Sequence, residues 1–239
     1  VWIDFDGQWK AVLNDDRRRP VAPYLHMREA TKLKGPFTYK NGWNSKKVGF
    51  LITDLLMFMQ HIDKKRFRQF GCTLNLEAYR KLNAEGFEFN NPIEICNDFC
   101  PYVVLTWYFT SYPGIIHSAH FFFDIEEPFK LPFEERWKKE KSNIFDPAGN
   151  REVWELIKTV ATAEMRDKPA MQAADLLGWA SNRVHSAKPD ASFLHLEPIM
   201  KNIIPSTWIV FNEKELRERY SDIKKDEHFR AKPGRDGVY

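Results

Sequence analysis

The chain has 239 residues, enough for one substantial domain with its own hydrophobic core. Hydrophobic residues make up 43 % and aromatics 15 %, with 19 Phe and 8 Trp, which excludes a disordered chain. The formal net charge of +3 permits nucleic-acid binding without requiring it. Three cysteines, Cys72, Cys96 and Cys100, are too few and odd in number for a secreted disulfide framework, so a cytoplasmic setting is expected. They also lack the Cys-x-x-Cys or His-x-x-x-His partners of a structural zinc site. No basic-then-apolar leader opens the sequence and no run is long enough to span a bilayer, so a soluble protein with no membrane partner is expected.

Trp2, Phe5, Trp9, Val12 and Leu13 recur at helical spacing and predict an amphipathic helix over residues 2–14, rather than a strand bearing Asp4 and Asp6. A basic turn, Arg17-Arg18-Arg19-Pro20, leads to the short segment Pro23–Met27 and then a polar loop holding Gly35-Pro36 and Asn41-Gly42. Ser45 is the expected cap of a long apolar helix running to about Ile62, and residues 66–75 alternate as a strand. A helix, a loop and a second helix from Pro92 towards Tyr108 follow. His117 to Asp124 is a largely apolar run, expected as a buried central strand that ends in an acid. Helices are expected over 131–141 and 151–157, and a short strand from Thr159 to Met165. Trp208–Phe211 is a late strand, with Asn212 capping a charged helix. The interleaving predicts an α/β layered domain over residues 1–223, followed by a charged, loose tail over 224–239.

Between the last two strands, Pro169–Trp179 places a carboxylate, Asp175, inside an otherwise apolar helix. Proline fits the first helical turn and Asp167 is the expected N-cap. At 100° per residue, Gln172, Asp175, Leu176, Trp179 and Arg183 share one face, and Ala170, Ala173, Ala174, Leu177 and Val184 the other. An acid in that setting is a metal ligand, a general base, or half of an ion pair with Arg183 or Arg166.

A second acidic feature, Asp124-Ile-Glu-Glu-Pro-Phe129, follows a predicted strand directly, and Pro128 turns the chain out of the sheet. Acids at the carboxyl end of a central strand face the ligand crevice of α/β folds, and Mg²⁺ or Mn²⁺ prefers such oxygen ligands. Solvated loop acids beside Lys130 are the structural alternative. His26, with Glu29 close behind, stands before the polar loop, either as a hydrogen-bonded structural residue or as a catalyst. His117 and His120 face opposite sides of their strand and are poor co-ligands. A nucleophile elbow, a P-loop, a dinucleotide glycine fingerprint and a His-Glu-x-x-His motif are all missing from the sequence. The basic stretch Lys64–Arg68 offers a phosphate grip or simply a solvated surface.

Three separated segments resemble the bacterial and phage domain-of-unknown-function family 3800, whose fold is related to ribonuclease H. They are Trp2 to Leu13 leading to Tyr24-Leu-His-Met-Arg-Glu29, then Phe122-Phe-Asp-Ile-Glu-Glu-Pro-Phe129, then Arg166 to Trp179 with its Gln-x-Ala-Asp-Leu core. The resemblance implies a ribonuclease-H-like domain, with a central mixed sheet flanked by helices. It also implies acids gathered around Mg²⁺ or Mn²⁺ for hydrolysis of nucleic-acid phosphodiesters, DNA or RNA. On this resemblance Asp124 is the central-strand acid and Asp175 the helix acid, both metal ligands. Glu127 and His26 join them as catalytic groups, and Gln172, Glu29, Trp179 and Arg183 support them. The family's opening strand, with its Asp-Glu-Ser-Gly-like ending, has no counterpart here, and the sequence begins at what resembles the first helix. The competing expectation is a non-catalytic accessory module of a mobile element or defence system that binds nucleic acid or a protein partner.

Overall fold

A computed structural model describes residues 2–62, 69–87, 89, 91–112, 118–125, 127, 130–142, 150–185, 196, 198–199 and 206–218. The Lys64–Arg68 stretch, His117 and the 224–239 tail lie outside these residues. The first helix, α1 (Trp2–Leu13), buries Phe5, Trp9 and Leu13 on one stripe, as its periodicity predicts. Its end is closed by Arg19, a buried cation whose guanidinium donates to the Val12 and Leu13 carbonyls, where the helix dipole favours positive charge. Asp54 stands 3.8 Å from Arg19 Nε and offsets part of the cost of burying it.

The short helix α2 (Met27–Thr31) precedes α3 (Ser45–Gln60). The cap of α3 is Asn44, not Ser45: its side chain accepts from the Lys47 backbone N–H at 3.0 Å, leaving Ser45 as the first helical residue. Val48, Leu51, Ile52, Leu55, Leu56 and Met59 form the buried face of α3.

The strand β1 (Gln69–Leu74) is followed by α4 (Leu76–Ala84), capped by Asn75, and by α5 (Pro92–Ser111). Then come β2 (Ala119–Asp124), α6 (Lys130–Ser142), α7 (Asn150–Glu155), β3 (Ile157–Ala163), α8 (Pro169–His185) and β4 (Ser206–Phe211). Among the described residues the strands form two separate parallel pairs, β1 with β4 and β2 with β3, instead of one mixed sheet. Parallel pairing needs long crossovers, and here helices supply them, with α6 and α7 carrying the chain from β2 to β3. The register passes through a bulge after Ala119↔Ile157 and ends by setting Asp124 opposite Ala163.

Expected as a buried central strand, β2 is instead half-exposed. Its burial alternates, Phe121 and Phe123 turn to the core, and Phe122 is 52 % exposed. Among the described residues its partner strand is β3. The coarse expectation of a mixed α/β protein holds, with helix dominating and small parallel sheets.

Among the described residues the buried apolar side chains form three clusters. The largest joins α1, α2, α3 and α8 through Trp9, Leu25, Met27, Leu55, Leu176 and their neighbours. The second lies against β2 and β3 and draws Leu105 from α5, Phe133 from α6, and Val153 and Trp154 from α7. The third lies against β1 and β4 and is built on Ala78, Leu82, Phe211 and Leu216.

A candidate acidic active site at the ends of two parallel strands

Asp124 is the last residue of β2 and Ala163, its register partner, the last of β3. The chain leaves both strands at the same end, so the residues just beyond them share one crevice, the usual ligand position in parallel α/β sheets. A cavity of about 350 Å³ opens there. The described residues lining it are Asp124 and Ile125 from the end of β2, Glu164, Met165 and Arg166 from beyond the end of β3, Tyr24 and His26 from the segment entering α2, and Glu29 from α2 itself. Residues more than a hundred positions apart in the chain thus meet around one space.

The Asp124 carboxylate is fixed by backbone donors. Its Oδ1 accepts from the Ile125 N–H at 2.9 Å and, more weakly, from the Met165 N–H at 3.4 Å. The Asp124 carbonyl accepts from the Glu127 N–H at 3.0 Å, which makes a tight turn of Asp124 to Glu127. This turn places Glu127 after the strand, and Glu127 is not among the described cavity-lining residues.

Asp175 stands behind the cavity on α8. Its Oδ2 accepts from the Met27 backbone N–H at 2.8 Å, a bond that ties α8 to the first turn of α2 and fixes the position of the preceding residue, His26. Burial raises the Asp175 pKa above its ordinary value of 3.8, the nearby Asp124 charge adds to the rise, and the Met27 bond and His26 oppose it. The two acids are therefore electrostatic neighbours. Asp175 has no ion pair with Arg166 or Arg183 among the described residues, which corrects the ion-pair alternative.

The face expected for α8 also needs revision. Gln172, Ala173, Leu176, Leu177, Ala180 and Ser181 are its buried side, whereas Ala174 and Arg183 are exposed. Asp167 does not cap the helix, because it lies in a 3₁₀ turn over Met165–Asp167; the Lys168 carbonyl accepts the first bonds, from Met171 and Gln172. Trp179 packs on the largest apolar cluster with the Arg183 guanidinium over its ring at 5.5 Å, so this pair supports the helix further along and does not line the cavity.

Gln172 is the joint of the site. It is 1 % exposed and uses its whole amide: Oε1 accepts from Trp9 Nε1 and from the Leu25 N–H, both at 2.9 Å, and Nε2 donates to the Met165 and Arg166 carbonyls at 3.1 and 3.0 Å. One side chain thereby locks α1, the segment carrying Tyr24 and His26, and the turn carrying Glu164 and Arg166. Its position in the Gln-x-Ala-Asp-Leu core follows from geometry, since residues three apart on a helix lie side by side and Asp175 grips the same segment two residues on.

Glu29 is held at the opposite wall. The Tyr24 hydroxyl donates to its Oε2 at 2.6 Å, and the Arg166 guanidinium lies over the Tyr24 ring at 5.0 Å. Burial, then the Glu29 carboxylate, push the Tyr24 phenol up to about 12. The loop after α2 returns close to this carboxylate. Leu33 takes a left-handed conformation with φ 52°, and Gly35, at φ 57°, leaves so little room that a Cβ there would stand 2.8 Å from Glu29 Oε2.

Sequence reasoning placed Asp124, His26 and Glu29 here and missed Glu164, Tyr24 and a cavity-lining role for Arg166. Glu164 had a readable signal, being the acid just after β3 as Asp124 is the acid that closes β2. Tyr24 had one also, since it is two residues before His26 and shares its side of an extended segment. Among the described residues no three His, Cys, Asp or Glu side chains are close enough to form a closed metal cage. The carboxylates of Glu29, Asp124 and Glu164 line the cavity, with Asp175 behind it, and oxygen donors of this kind suit a hard divalent ion that keeps most of its waters, not a tetrahedral zinc site. No protein-family model, curated protein or solved structure matches the chain.

Proposed function

We propose that the protein is a divalent-metal-dependent hydrolase of nucleic-acid phosphodiesters, built on a ribonuclease-H-like arrangement. The observation that carries this reading is convergence. The three sequence segments that motivate it contribute His26 and Glu29, Asp124, and Asp175 with Gln172, and these lie at or directly behind one cavity at the ends of β2 and β3. An unrelated set of surface acids has no reason to meet in this way.

In this reading Asp124 and Asp175 hold Mg²⁺ or Mn²⁺, which supplies an activated water and charge stabilisation at the phosphorus. The proximity of two carboxylates is unfavourable without a cation, and Asp175 already feels the Asp124 charge. His26, carried beside Asp175 by the Met27 bond, is the group placed to accept or return a proton. Arg166, exposed at the rim, offers a forked donor to a phosphate oxygen. Gln172 binds no substrate and positions the walls.

The test is cleavage of labelled single- and double-stranded DNA and RNA in Mg²⁺ or Mn²⁺, against chelator and against Asp124→Asn and Asp175→Asn. Metal-dependent cleavage that both variants lose, with folding retained, supports the proposal. A second reading, a non-catalytic module that binds nucleic acid or a protein, draws on the exposed apolar side chains Tyr39, Ile125 and Leu131. Salt-sensitive nucleic-acid binding that ignores divalent ions, with no cleavage of any substrate, would favour it.

A further inference from the structure

Away from the acidic cavity, β1 and α5 bring two thiols together. Cys72, in the middle of β1, and Cys96, in the second turn of α5, are 24 positions apart in the chain, yet their Sγ atoms are 2.9 Å apart. Both thiols are half-buried. A formed disulfide has an S–S bond of about 2.0 Å, so joining them requires the sulfurs to approach by roughly one ångström. The surroundings are those of the third apolar cluster, with Leu74, Tyr79, Phe87 and Ile95 packed against it alongside Cys72.

Two thiols serving only as small apolar fillers gain nothing from pointing at one another. Here the Cys72 thiol donates to Cys96 Sγ, the arrangement that favours a thiolate at Cys96. That hydrogen bond lowers the Cys96 pKa from its ordinary value of 9.0, against the burial that raises it.

The geometry points to Cys72 and Cys96 as a redox-active dithiol that takes a hydroperoxide as its oxidant and closes to an intramolecular disulfide fastening α5 to β1. The Cys96 thiolate attacks the terminal peroxide oxygen. The O–O bond breaks, the leaving oxygen takes up a proton as water or alcohol, and Cys96 becomes a sulfenic acid. The Cys72 sulfur then attacks Cys96 Sγ, the S–O bond breaks, and hydroxide leaves with the Cys72 proton as water. Two thiols are oxidised by two electrons and one peroxide is reduced. Further along α5, Leu105 lies in the core against β2 and β3, so the disulfide would brace a helix that reaches from the β1–β4 pair to the sheet carrying Asp124. This inference does not depend on the proposed hydrolase activity.

The test treats the reduced full-length chain with one equivalent of hydrogen peroxide, alkylates the remaining thiols, and maps the cysteines by mass spectrometry. The expected result is loss of two hydrogens, a Cys72–Cys96 cross-linked peptide, and alkylation at Cys100 only. Cys100→Ser should close the same bond, which keeps the test decisive if Cys72→Ser folds poorly. In Cys72→Ser, the sulfenic acid at Cys96 should persist long enough to be trapped by dimedone. Linkage of Cys96 to Cys100, cross-links only between chains, or full alkylation of all three thiols after treatment would overturn the inference.

Discussion

Replacing Gln172 by leucine, which is similar in size but offers no hydrogen bond, tests the joint of the site. Trp9 and Leu25 are fully buried, so their N–H groups lose the Oε1 acceptor with no water to replace it. Each stranded donor costs about 1–3 kcal/mol. The Met165 and Arg166 carbonyls lie in a partly exposed turn, where water can take over from Nε2. The added apolar burial returns about 1 kcal/mol. The net loss is about 1–5 kcal/mol, a large part of a typical domain stability of about 5–15 kcal/mol. For a chain of this size that lowers Tm by about 10 °C. Urea unfolding at neutral pH, with the m-value compared between wild type and variant, is the assay. A midpoint equivalent to a loss below about 0.5 kcal/mol, within the range of neutral surface substitutions, would refute the assigned hydrogen-bond network.

Asp175→Asn should make the protein no less stable at pH 7, and more stable if burial dominates. The folded-state pKa of Asp175 is raised, so the stability that this carboxyl contributes is complete below 3.8 and is lost as pH rises through the folded value. The advantage of the asparagine variant should therefore vanish on acidification towards pH 4, as read by urea midpoints at several pH values; an advantage that grows on acidification would contradict the sign. Gly35→Ala should cost about 1–3 kcal/mol, because it places a Cβ against Glu29 and in a left-handed backbone conformation. If the displaced Glu29 releases Tyr24, ultraviolet titration should show the phenol pKa falling from about 12 towards 10.0. Arg19→Met should destabilise by about 1–3 kcal/mol through loss of its bonds to the Val12 and Leu13 carbonyls, measured by thermal unfolding, with the proposed metal-dependent cleavage at permissive temperature unchanged.

How much of this was legible in the sequence depends on the range of the interaction. The α1 stripe of Phe5, Trp9 and Leu13 follows from helical period alone, and local spacing made α3, α5 and α8 readable as helices, although not which face of α8 is buried. Asp124 was readable because an acid follows an apolar strand, and Asp175 because an acid interrupts an apolar helix face. Helix starts were misread by one position, at Asn44, where neighbouring polar residues compete for the same orphan N–H groups, and at Lys168, whose backbone carbonyl opens α8 because Asp167 is held in the preceding 3₁₀ turn. Strand partnership was not readable. Nothing local in Phe121-Phe122-Phe123 says that β3 is its partner, since that depends on a crossover of some thirty residues. Tyr24 and Glu164 carry only local hints, one as the neighbour of His26 on an extended segment and one as an acid after a strand; that they meet Asp124 depends on α8, which holds both segments through Gln172.

The most direct test of the central claim is calorimetric titration of Mn²⁺ into the wild-type protein and into Asp124→Asn at neutral pH. The account predicts saturable binding to the wild type, weakened at least about tenfold, or about 1.4 kcal/mol, in the variant, with both proteins folded. Equal binding by the two proteins, or none by the wild type, would contradict a metal site built on Asp124 and Asp175.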